Sequence, residues 1–522
     1  MYDKALIISR YHSDLGNPIY NAYTRGIKSQ CEEVYFIDYF DDINEFSQKG
    51  FEQKVLTLLE EKDIKLVFFI FVSGDAILSP YFIQNVAKDR FIAMVFWDIE
   101  QFFEPIDRYY AQLADLVILT ANYEYSYILK TMGIDSICPF SLFDSTKYKP
   151  TLNNQQTIDV SFVGEVTKGK RKEYIKYLED NGINIQTYGV GTKNGKVSFE
   201  KVVDIFNSSK INLSFTGTYD NSVYSFCSNI NNRIKQNKGK PIEIALCGGF
   251  VLSEYVNGLD KVFPNNSIDV FETKEELLQK VKYYLNHNDL REEMKDKSYK
   301  YAIENYDSIV AFKKIFEKIN SMEYKKEKKL ILDDIFIKVH NTFRIFYAIL
   351  FLINSKYSFF IDELKFILKY KKFILKDVKE FIWFLLKNKF KKIKFKFAIN
   401  KIFSSLKNQD VVIYGAGVHT IKLFEMFPIL KNLNVKAIVD SNPNLWGTYI
   451  NGIIIISPND ILEYADKVII SSAKFEKEIK SNLIKLYQKR LNIFTLYHKF
   501  NYDFVSGEKD AYQVYRNTLK LR

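Results

Sequence analysis

The chain has 522 residues, a formal net charge of +11 and a sequence pI near 9.0. Its 47% of hydrophobic and 26% of charged residues are ordinary values for folded proteins, so the composition excludes intrinsically disordered and collagen-like chains. At roughly 150 residues per domain, the length predicts three to four domains rather than one core.

The first 150 residues alternate short apolar runs with helix-length amphipathic stretches. Strands that are apolar along their whole length and are separated by helices belong to parallel sheets covered on both faces. The pattern therefore predicts a Rossmann-like unit over 1–150. The apolar stretch at the N-terminus is too short for a signal peptide, so we expect none. The expected strands are KALIIS (4–9), VYFID (34–38), KLVFFIFV (65–72), FIAMVFW (91–97) and LVILTA (116–121).

A polar stretch over 145–159, which includes Pro150, predicts a domain boundary. The alternation of apolar runs and helix-length stretches then restarts. It predicts a second Rossmann-like unit over 157–320, so the fold class is α/β. The expected strands are DVSFVG (159–164), INIQTYG (183–189), KINLSFTG (210–217), GFVLSE (249–254) and SIDVFE (267–272).

The segment 322–408, here called the connector, differs in composition from the rest of the chain. It holds 21 Lys and Arg against 8 Asp and Glu, whereas the remainder holds 53 against 55. Its apolar blocks predict two or three amphipathic helices. Three interpretations stay open: peripheral contact with an anionic membrane surface, nucleic-acid binding, or packing between domains with a solvated lysine face. Because nucleic-acid recognition motifs are missing, we expect no nucleic-acid partner.

A third α/β pattern covers 409–500, and a polar tail covers 501–522. The pattern opens with VVIYGAG (411–417), a strand followed by Gly-x-Gly. This part resembles the small Rossmann-like domains appended to sugar-modifying and methyltransferase proteins, which implies nucleotide or nucleotide-sugar binding. Because no Tyr-x-x-x-Lys pair is evident, we expect binding or scaffolding rather than redox chemistry.

The residues of this third pattern have the spacing of a dinucleotide-binding fold. Asp440 ends the second strand, 23 residues after Gly417. In such folds the glycines let the backbone approach the ligand, and the acid binds ribose hydroxyls. We therefore predict that Gly415, Gly417 and Asp440 bind NAD or another nucleotide. Thr420 replaces the third glycine, which we expect to weaken helix–strand packing.

The segment KGKPIEIALCGGFVLSEYVNGLD (238–260), continuing to about residue 320, resembles the C-terminal lobe of the CgeB-like, group 1 family of glycosyltransferases. In that family a basic residue precedes an aromatic–Glu pair, a small-residue helix, Gly-Gly, a strand and Thr-Glu-Tyr. The resemblance implies a GT-B fold, in which two Rossmann-like lobes enclose a cleft. The corresponding residues here are Lys240, Ile242, Glu243, 245–249, Ser253, Glu254 and Tyr255.

The resemblance implies that these residues bind a nucleotide-sugar donor. Transfer from such a donor creates a diphosphate leaving group, whose growing charge is met by cations or helix N-terminal amides. Lys240 precedes Pro241 at a predicted helix start, and Glu243 takes the family's ribose-binding role. The stretch 162–178 resembles the opening of the same donor lobe. The implied donor-binding residues are Gly164, Lys170, Arg171, Lys240, Glu243, Gly248, Gly249, Glu254 and Tyr255.

The chain departs from the family pattern at three positions. Lys240 and Ile242 replace the usual Arg and Phe, and Lys235 replaces an acid that broader group 1 enzymes have eight residues before the ribose glutamate. A lysine keeps the charge but loses bidentate phosphate geometry, so we expect retained donor contact and altered sugar recognition. The alternative is structural: Glu243 solvates an ordinary helix, and 164–171 is a solvated basic turn.

Candidate catalytic residues follow strands of the first unit. His12 or Asp14 follows the first strand, Asp75 the third and Asp98 the fourth. We take His12 and Asp98 as candidate bases toward an acceptor hydroxyl. No convincing Asp-x-Asp metal motif appears, so we expect a metal-independent enzyme that needs no cofactor beyond its nucleotide-sugar substrate. Retention or inversion at the anomeric carbon stays open.

The sequence therefore predicts a glycosyltransferase that moves a sugar to a glycan, lipid carrier or protein acceptor, in surface polysaccharide or glycoconjugate synthesis. The alternatives are a non-catalytic nucleotide-sugar-binding or surface-assembly protein, and an NAD-dependent sugar oxidoreductase or epimerase centred on the third pattern. Four cysteines without paired spacing argue against a disulfide framework and favour the cytoplasm, with peripheral membrane contact through the connector.

Overall fold

The structure is a computed structural model that describes residues 2–10, 18–71, 74–151, 155–166, 170–217, 235–264, 266–370, 372–373, 375–472 and 475–497. The chain forms two compact units. Of the described residues, unit 1 contains those of 2–194 and 199–378, and unit 2 contains those of 195–198 and 379–497.

The first lobe of unit 1 is a six-stranded, wholly parallel sheet. Its strands are β1 (Lys4–Ser9), β2 (Glu33–Asp38), β3 (Leu66–Ile70), β4 (Phe91–Phe96), β5 (Leu116–Leu119) and β6 (Asp135–Ile137). Its helices are α1 (Pro18–Lys28), α2 (Tyr39–Glu61), α3 (Pro80–Val86), α4 (Ile99–Phe102), α5 (Arg108–Ala111) and α6 (Tyr125–Thr131). The strand order is β2-β1-β3-β4-β5-β6, and β3, β4 and β5 are buried along their whole length, as their apolar sequences predict.

The second lobe of unit 1 is a five-stranded parallel sheet. Its strands are β7 (Ile158–Val163), β8 (Ile185–Tyr188), β9 (Ser209–Ser214), β10 (Val251–Glu254) and β11 (Asp269–Phe271). Its helices are α7 (Arg171–Asp180), α8 (Phe199–Ser208), α9 (Lys240–Leu246), α10 (Leu259–Val262), α11 (Lys274–Asn286) and α12 (Asn288–Tyr306). The order β11-β10-β9-β7-β8 reverses direction between β7 and β9, which is the topological switch point of the sheet.

The chain crosses between the two lobes twice at one place. Phe143 N–H donates to the Tyr306 carbonyl at 3.0 Å, and Ser308 N–H donates back to the Phe143 carbonyl at 2.8 Å. Helix α13 (Ser308–Asn320) then returns to the first lobe and packs on α1. Phe312 of α13 lies so close to Gly26 of α1 that a Cβ there would meet the ring Cδ2 at 2.2 Å.

An ion pair reinforces this crossing. The Arg25 guanidinium lies 2.9 Å from Asp307 Oδ2, which also accepts from the Ser145 hydroxyl at 2.6 Å. Burial alone would raise the pKa of Asp307, but the bonds from Ser145 and Arg25 outweigh it and hold that pKa below its ordinary value. The crossing is therefore held by charged as well as backbone hydrogen bonds.

The first part of the connector packs on the first lobe. Helix α14 (Asp334–Ile353) inserts Phe336 between Tyr109 and Tyr110, and α15 (Tyr357–Tyr370) packs on α14. Among the described helices α14 alone is long and apolar enough to cross a membrane, yet 67% of its most apolar window is buried inside the protein. Of the three interpretations of the connector, packing against a neighbouring domain is therefore the one that applies to α14. The last connector helix is α16 (Leu375–Ser405).

Unit 2 contains the third sheet, in the order β14-β15-β13-β12-β16-β17. The β14–β15 pair is antiparallel and the other pairs are parallel. The strands are β12 (Asp410–Tyr414), β13 (Asn434–Val439), β14 (Tyr449–Ile450), β15 (Ile453–Ile456), β16 (Lys467–Ile470) and β17 (Asn492–Thr495). The helices are α17 (Val418–Met426), α18 (Ile461–Tyr464) and α19 (Glu476–Tyr487). The predicted α/β fold class, with two Rossmann-like lobes and a further small α/β domain, is confirmed.

Candidate functional site

Two predicted donor residues, Gly164 and Arg171, lie near each other at the switch point of the second sheet. Gly164 follows β7 and Gly189 follows β8, and a Cβ on Gly189, whose φ is +127°, would lie 2.1 Å from the Gly164 carbonyl oxygen. Arg171 begins α7 with its guanidinium buried, donating to the carbonyls of Glu165 at 3.0 Å and Gly217 at 3.1 Å. Arg171 thus joins the loops that follow β7 and β9, where open α/β sheets bind their ligands.

Glu254 occupies the next position along this edge, at the end of β10. Its Oε2 accepts from the backbone N–H groups of Thr216 at 2.9 Å and Gly217 at 3.3 Å, and its Oε1 lies 3.1 Å from Lys235 Nζ. Lys235 also donates to the carbonyl of Tyr255, whose side chain is exposed. The lysine that stands where broader relatives have an acid is therefore the ion-pair partner of Glu254.

A polar cluster joins the two lobes opposite this edge. Asp98 follows β4 and has a left-handed backbone conformation, with φ of 50°. Gln236 Nε2 donates to Asp98 Oδ1 at 2.9 Å and to Glu100 Oε2 at 2.7 Å. The Lys238 ammonium donates to Gln236 Oε1. One amide of the second lobe thus connects a lysine to two carboxylates of the first.

The protonation of this cluster is shifted by its surroundings. Burial, assisted by the negative charge of Asp98, raises the pKa of Glu100 to about 7. Burial also lowers the pKa of Lys238. The negative charges of Asp98 and Glu100 raise this pKa and the positive charge of Arg171 lowers it, but burial is the largest effect. Glu100 Oε1 has no hydrogen-bond partner among the residues that the structure describes. A carboxyl group that titrates near neutral pH is suited to proton exchange with a hydroxyl group.

Two predicted donor residues pair with each other. Lys240 Nζ lies 2.6 Å from Glu243 Oε2 one turn along α9, and it lies over the Phe206 ring at 5.2 Å. Glu243 is buried. The carboxylate that the resemblance assigns to ribose therefore has a lysine partner in this structure. Lys170, the other predicted cation, precedes α7 and is exposed.

Gly248 and Gly249 follow helix α9, on which the donor candidates Lys240 and Glu243 lie. They precede β10, whose amino end is at the sheet edge opposite Gly164 and Glu254. Packing explains both glycines: Gly248 has φ of +67°, and a Cβ on Gly249 would lie 2.8 Å from Ile244 Cγ2. The structure therefore gives both glycines a packing role, and their close approach to a ligand stays a prediction.

The remaining acceptor-side candidates divide into two groups. His12 and Asp14 lie outside the described residues. Asp75 is buried, accepts from the Tyr39 hydroxyl at 3.0 Å and caps the Ile77 N–H at 3.0 Å, which is a structural role in the first lobe. Asp98 is thus the predicted base that the structure places beside the second lobe.

Glu100, Gln236 and Lys238 are site residues that the sequence patterns did not predict. A usable signal existed for two of them. Glu100 lies two residues after Asp98, and Lys238 lies between Lys235 and Lys240 in the same loop. Gln236 had no such signal, because its role depends on the approach of the two lobes.

The third sheet holds its predicted residues together at its own switch point, between β12 and β16. Ala416 N–H, between the two glycines, donates to Asp440 Oδ2 at 2.8 Å. Gly415 has φ of +114°, and a Cβ on it would lie 3.0 Å from the Ser471 carbonyl oxygen. A Cβ on Gly417 would meet nothing within 4 Å, so packing does not require that glycine.

Thr420 corrects an expectation about this domain. Its side chain is fully buried, and its hydroxyl donates to the Gly415 carbonyl. The threonine that replaces the third glycine therefore closes the Gly-x-Gly turn rather than weakening its packing.

A metal centre is not evident in the described part of the chain. There, no group of three or more His, Cys, Asp or Glu side chains is placed to hold a metal ion. The charged groups at the site are instead organised as pairs of cations and carboxylates, such as Lys235 with Glu254.

Comparison with protein families identifies two parts of the chain. Residues 168–315 match the family model described as "Glycosyl transferase-like", and residues 407–494 match the model described as "C2185-like, N-terminal". No curated protein matches the sequence. The second lobe is therefore a glycosyltransferase-like domain, which supports glycosyl transfer as the general activity of unit 1.

Solved structures that are similar to the chain include the following three. Sucrose-phosphate synthase from Thermosynechococcus elongatus is 9% identical, with a TM-score of 0.43, over 61% of this chain and 99% of its own. The HepE protein of Anabaena in complex with UDP-glucose is 12% identical, with a TM-score of 0.43, and the match covers 61% of this chain and 100% of that protein's chain. A glycosyltransferase from Rickettsia africae is 9% identical, with a TM-score of 0.43, and the match covers 61% of this chain and 98% of that protein's chain.

Proposed function

We propose that unit 1 is a GT-B glycosyltransferase of the CgeB-like type, which moves a sugar from a nucleotide-sugar donor to an acceptor hydroxyl. The observation that carries the proposal is the cluster in which Lys238 and Gln236 of the donor lobe contact each other and Gln236 contacts Asp98 and Glu100 of the first lobe. Cations on one side of a cleft and carboxyl groups on the other are what transfer to a hydroxyl requires.

The donor diphosphate would lie at the switch point of the second sheet. Lys238 and the turn that begins α7 at Arg171 would meet the charge that develops on the leaving group. Because two cations supply this charge, the reaction would need no divalent ion. Glu243 would bind ribose only if its pairing with Lys240 opens on donor binding.

The acceptor would approach from the first lobe. Asp98 would accept the proton of its hydroxyl group, while Gln236 fixes the orientation of Asp98 and Glu100. Glu100, with its raised pKa, would exchange the proton with solvent. His12, outside the described residues, stays a second candidate base.

The acceptor, the cellular compartment and the role of the small domain are proposed from the sequence. The acceptor would be a glycan, a lipid-linked carrier or a protein in surface polysaccharide or glycoconjugate synthesis. The enzyme would work in the cytoplasm, with the connector in peripheral contact with the inner face of the membrane. The small domain of unit 2 would bind a nucleotide, including NAD, at Gly415, Gly417 and Asp440, a function supported by the open space at Gly417.

Calorimetric titration of the full chain with a panel of nucleoside diphosphates tests the donor site. We expect one diphosphate to bind, and we expect Arg171→Ala and Lys238→Met each to weaken its affinity by about tenfold or more. Glu243→Ala should also weaken it. Lys176→Ala is the matched control, because Lys176 lies exposed on α7 and pairs with Asp180. Equal affinity in wild type and both cation variants would reject the assignment.

A further inference from the structure

Helix α16 has two opposite apolar faces, and only one of them is covered. Four side chains on one face are fully buried, or nearly so, in the core of unit 2: Phe395, Ile399, Phe403 and Leu406. The other face carries large apolar side chains that are exposed to between 43% and 76%. This set, here called the α16 stripe, consists of Ile382, Trp383, Leu386, Phe390, Ile393 and Phe397.

The stripe is continuous along the helix. Its members recur at intervals of three and four residues, apart from the adjacent pair Ile382 and Trp383. At 100° per residue they fall within an arc of about 100°, centred opposite the buried face. Scattered exposed apolar residues are normal in soluble proteins, but a contiguous row that includes a tryptophan and two phenylalanines marks a site of interaction.

From residue 381 onward, the charge along the helix is positive. Residues 381–405 contain seven lysines and no Asp or Glu. The exposed Lys387 and Lys394 lie along one side of the stripe, and the exposed Lys396 lies along the other. Such lysines can place their stems on an apolar surface while their ammonium groups reach an anionic one.

We propose that the α16 stripe docks on the surface of an anionic lipid bilayer, with the helix parallel to the membrane plane. The aromatic side chains would enter the boundary between headgroups and acyl chains, and the flanking lysines would contact lipid phosphates. A protein partner is less consistent with the pattern, because basic residues border the apolar row on both sides. The inference rests on the membrane contact included in the proposed function and identifies the surface that makes it.

The helix lies on the membrane in this account rather than crossing it. A spanning helix needs about 20 mainly apolar residues, whereas lysines interrupt α16 throughout. One of its faces is also committed to the core of unit 2 through Phe395 and Phe403. Its buried counterpart α14 has no part in this contact.

Vesicle flotation of the full chain tests the proposal. We expect the protein to bind vesicles that contain about one-third phosphatidylglycerol at least tenfold more strongly than vesicles of phosphatidylcholine alone, with a steep decrease as salt is added. Tryptophan emission should shift to shorter wavelength on binding, and Trp383→Phe should remove most of that shift. Equal binding to both kinds of vesicle, or to neither, would overturn the proposal.

Two pairs of variants separate the stripe from general surface effects. Phe390→Ser with Phe397→Ser should lower binding to anionic vesicles about tenfold or more, whereas Ile484→Ser with Leu486→Ser on α19 should leave it unchanged. Changing Lys387, Lys394 and Lys396 to Glu should abolish binding. The same change at the exposed Lys477, Lys480 and Lys485, with an equal effect on net charge, should reduce it only slightly.

Self-association through the stripe gives a different result. If the wild-type chain forms a dimer that Phe390→Ser with Phe397→Ser dissociates, while vesicle binding is unaffected, a second copy covers the stripe and the lipid proposal is wrong. Donor binding measured without vesicles is a separate readout. A failure of the membrane inference therefore leaves the transferase proposal standing, and the reverse also holds.

Discussion

The side-chain amide of Gln236 donates to the Asp98 carboxylate across 2.9 Å, and so joins the loop before α9 to the carboxyl end of β4. The same nitrogen donates to Glu100 at 2.7 Å. An amide between two carboxylates satisfies both acceptors and keeps their negative charges a fixed distance apart. The separation of the two carboxyl groups therefore depends on a residue of the opposite lobe.

Gln236→Glu should be more harmful than Gln236→Ala. The alanine variant removes one donor, but the glutamate variant places a third carboxylate beside Asp98 and Glu100 in a partly buried site. We expect donor turnover to fall by about tenfold in the alanine variant and by a further tenfold in the glutamate variant. Gln53→Glu on the exposed side of α2 is the control for the added charge. Similar turnover in both Gln236 variants would contradict this account.

Glu100→Gln should change how stability depends on pH. The folded-state pKa of Glu100 is about 7, above the ordinary value of 4.5, so the folded protein binds this proton more tightly than the unfolded chain. Protonated Glu100 therefore contributes fully to the free energy of unfolding below pH 4.5, and this contribution is lost as the pH rises through 7.

Thermal unfolding of wild type and Glu100→Gln at pH 5 and pH 8 measures the effect. Because each unit of pKa difference is worth about 1.4 kcal/mol, we expect the variant to gain about 2 kcal/mol relative to wild type on going from the lower to the higher pH. A pH-independent difference between the two proteins would show that Glu100 does not titrate in this range.

Gly415→Ala should destabilise the small domain, whereas Gly417→Ala should not. An alanine at 415 would have φ of +114° and a Cβ 3.0 Å from the Ser471 carbonyl oxygen. We expect a loss of about 1–3 kcal/mol there. Gly417 has negative φ and open space, so its change should be within about 0.5 kcal/mol. Denaturant unfolding of both variants provides the test, and equal losses would disprove the assigned packing.

Gly26→Ala should weaken the docking of α13 on the first lobe. Its Cβ would overlap the Phe312 ring and approach the Ser308 carbonyl oxygen at 2.7 Å, so we expect a cost of about 2 kcal/mol or more. In a double-mutant cycle, Gly26→Ala with Phe312→Ala should be less destabilising than the sum of the single changes. Additive losses in urea unfolding would mean that the two residues are not in contact.

The sheets were largely predictable from sequence because their strands are continuous apolar runs. The prediction of KALIIS coincides with β1, and the other predicted runs overlap the observed strands. Strand β6 was missed, since its three residues Asp135–Ile137 begin with an acid and pair at the edge of the sheet. Hydrophobic patterning identifies buried central strands more readily than short edge strands.

The site was only partly predictable, because sequence patterns describe one lobe at a time. Arg171 and Asp98 were identified from their positions after strands, where parallel sheets bind ligands. Glu100, Gln236 and Lys238 gain their significance from contacts between lobes more than a hundred residues apart. At Gly248 and Gly249 the family motif predicts ligand contact, and the backbone conformation and packing are a second reason for glycine at these positions.

Release of nucleoside diphosphate from a panel of nucleotide sugars, followed by mass spectrometry, tests the central claim most directly. We predict that the full chain cleaves one donor, slowly with water and faster with a suitable acceptor, and that Asp98→Asn and Lys238→Met each lower the rate about a hundredfold. The Lys176→Ala control should react like wild type. If no donor is cleaved, or if the Asp98 and Lys238 variants retain wild-type rates, the interlobe cluster is not the transferase site.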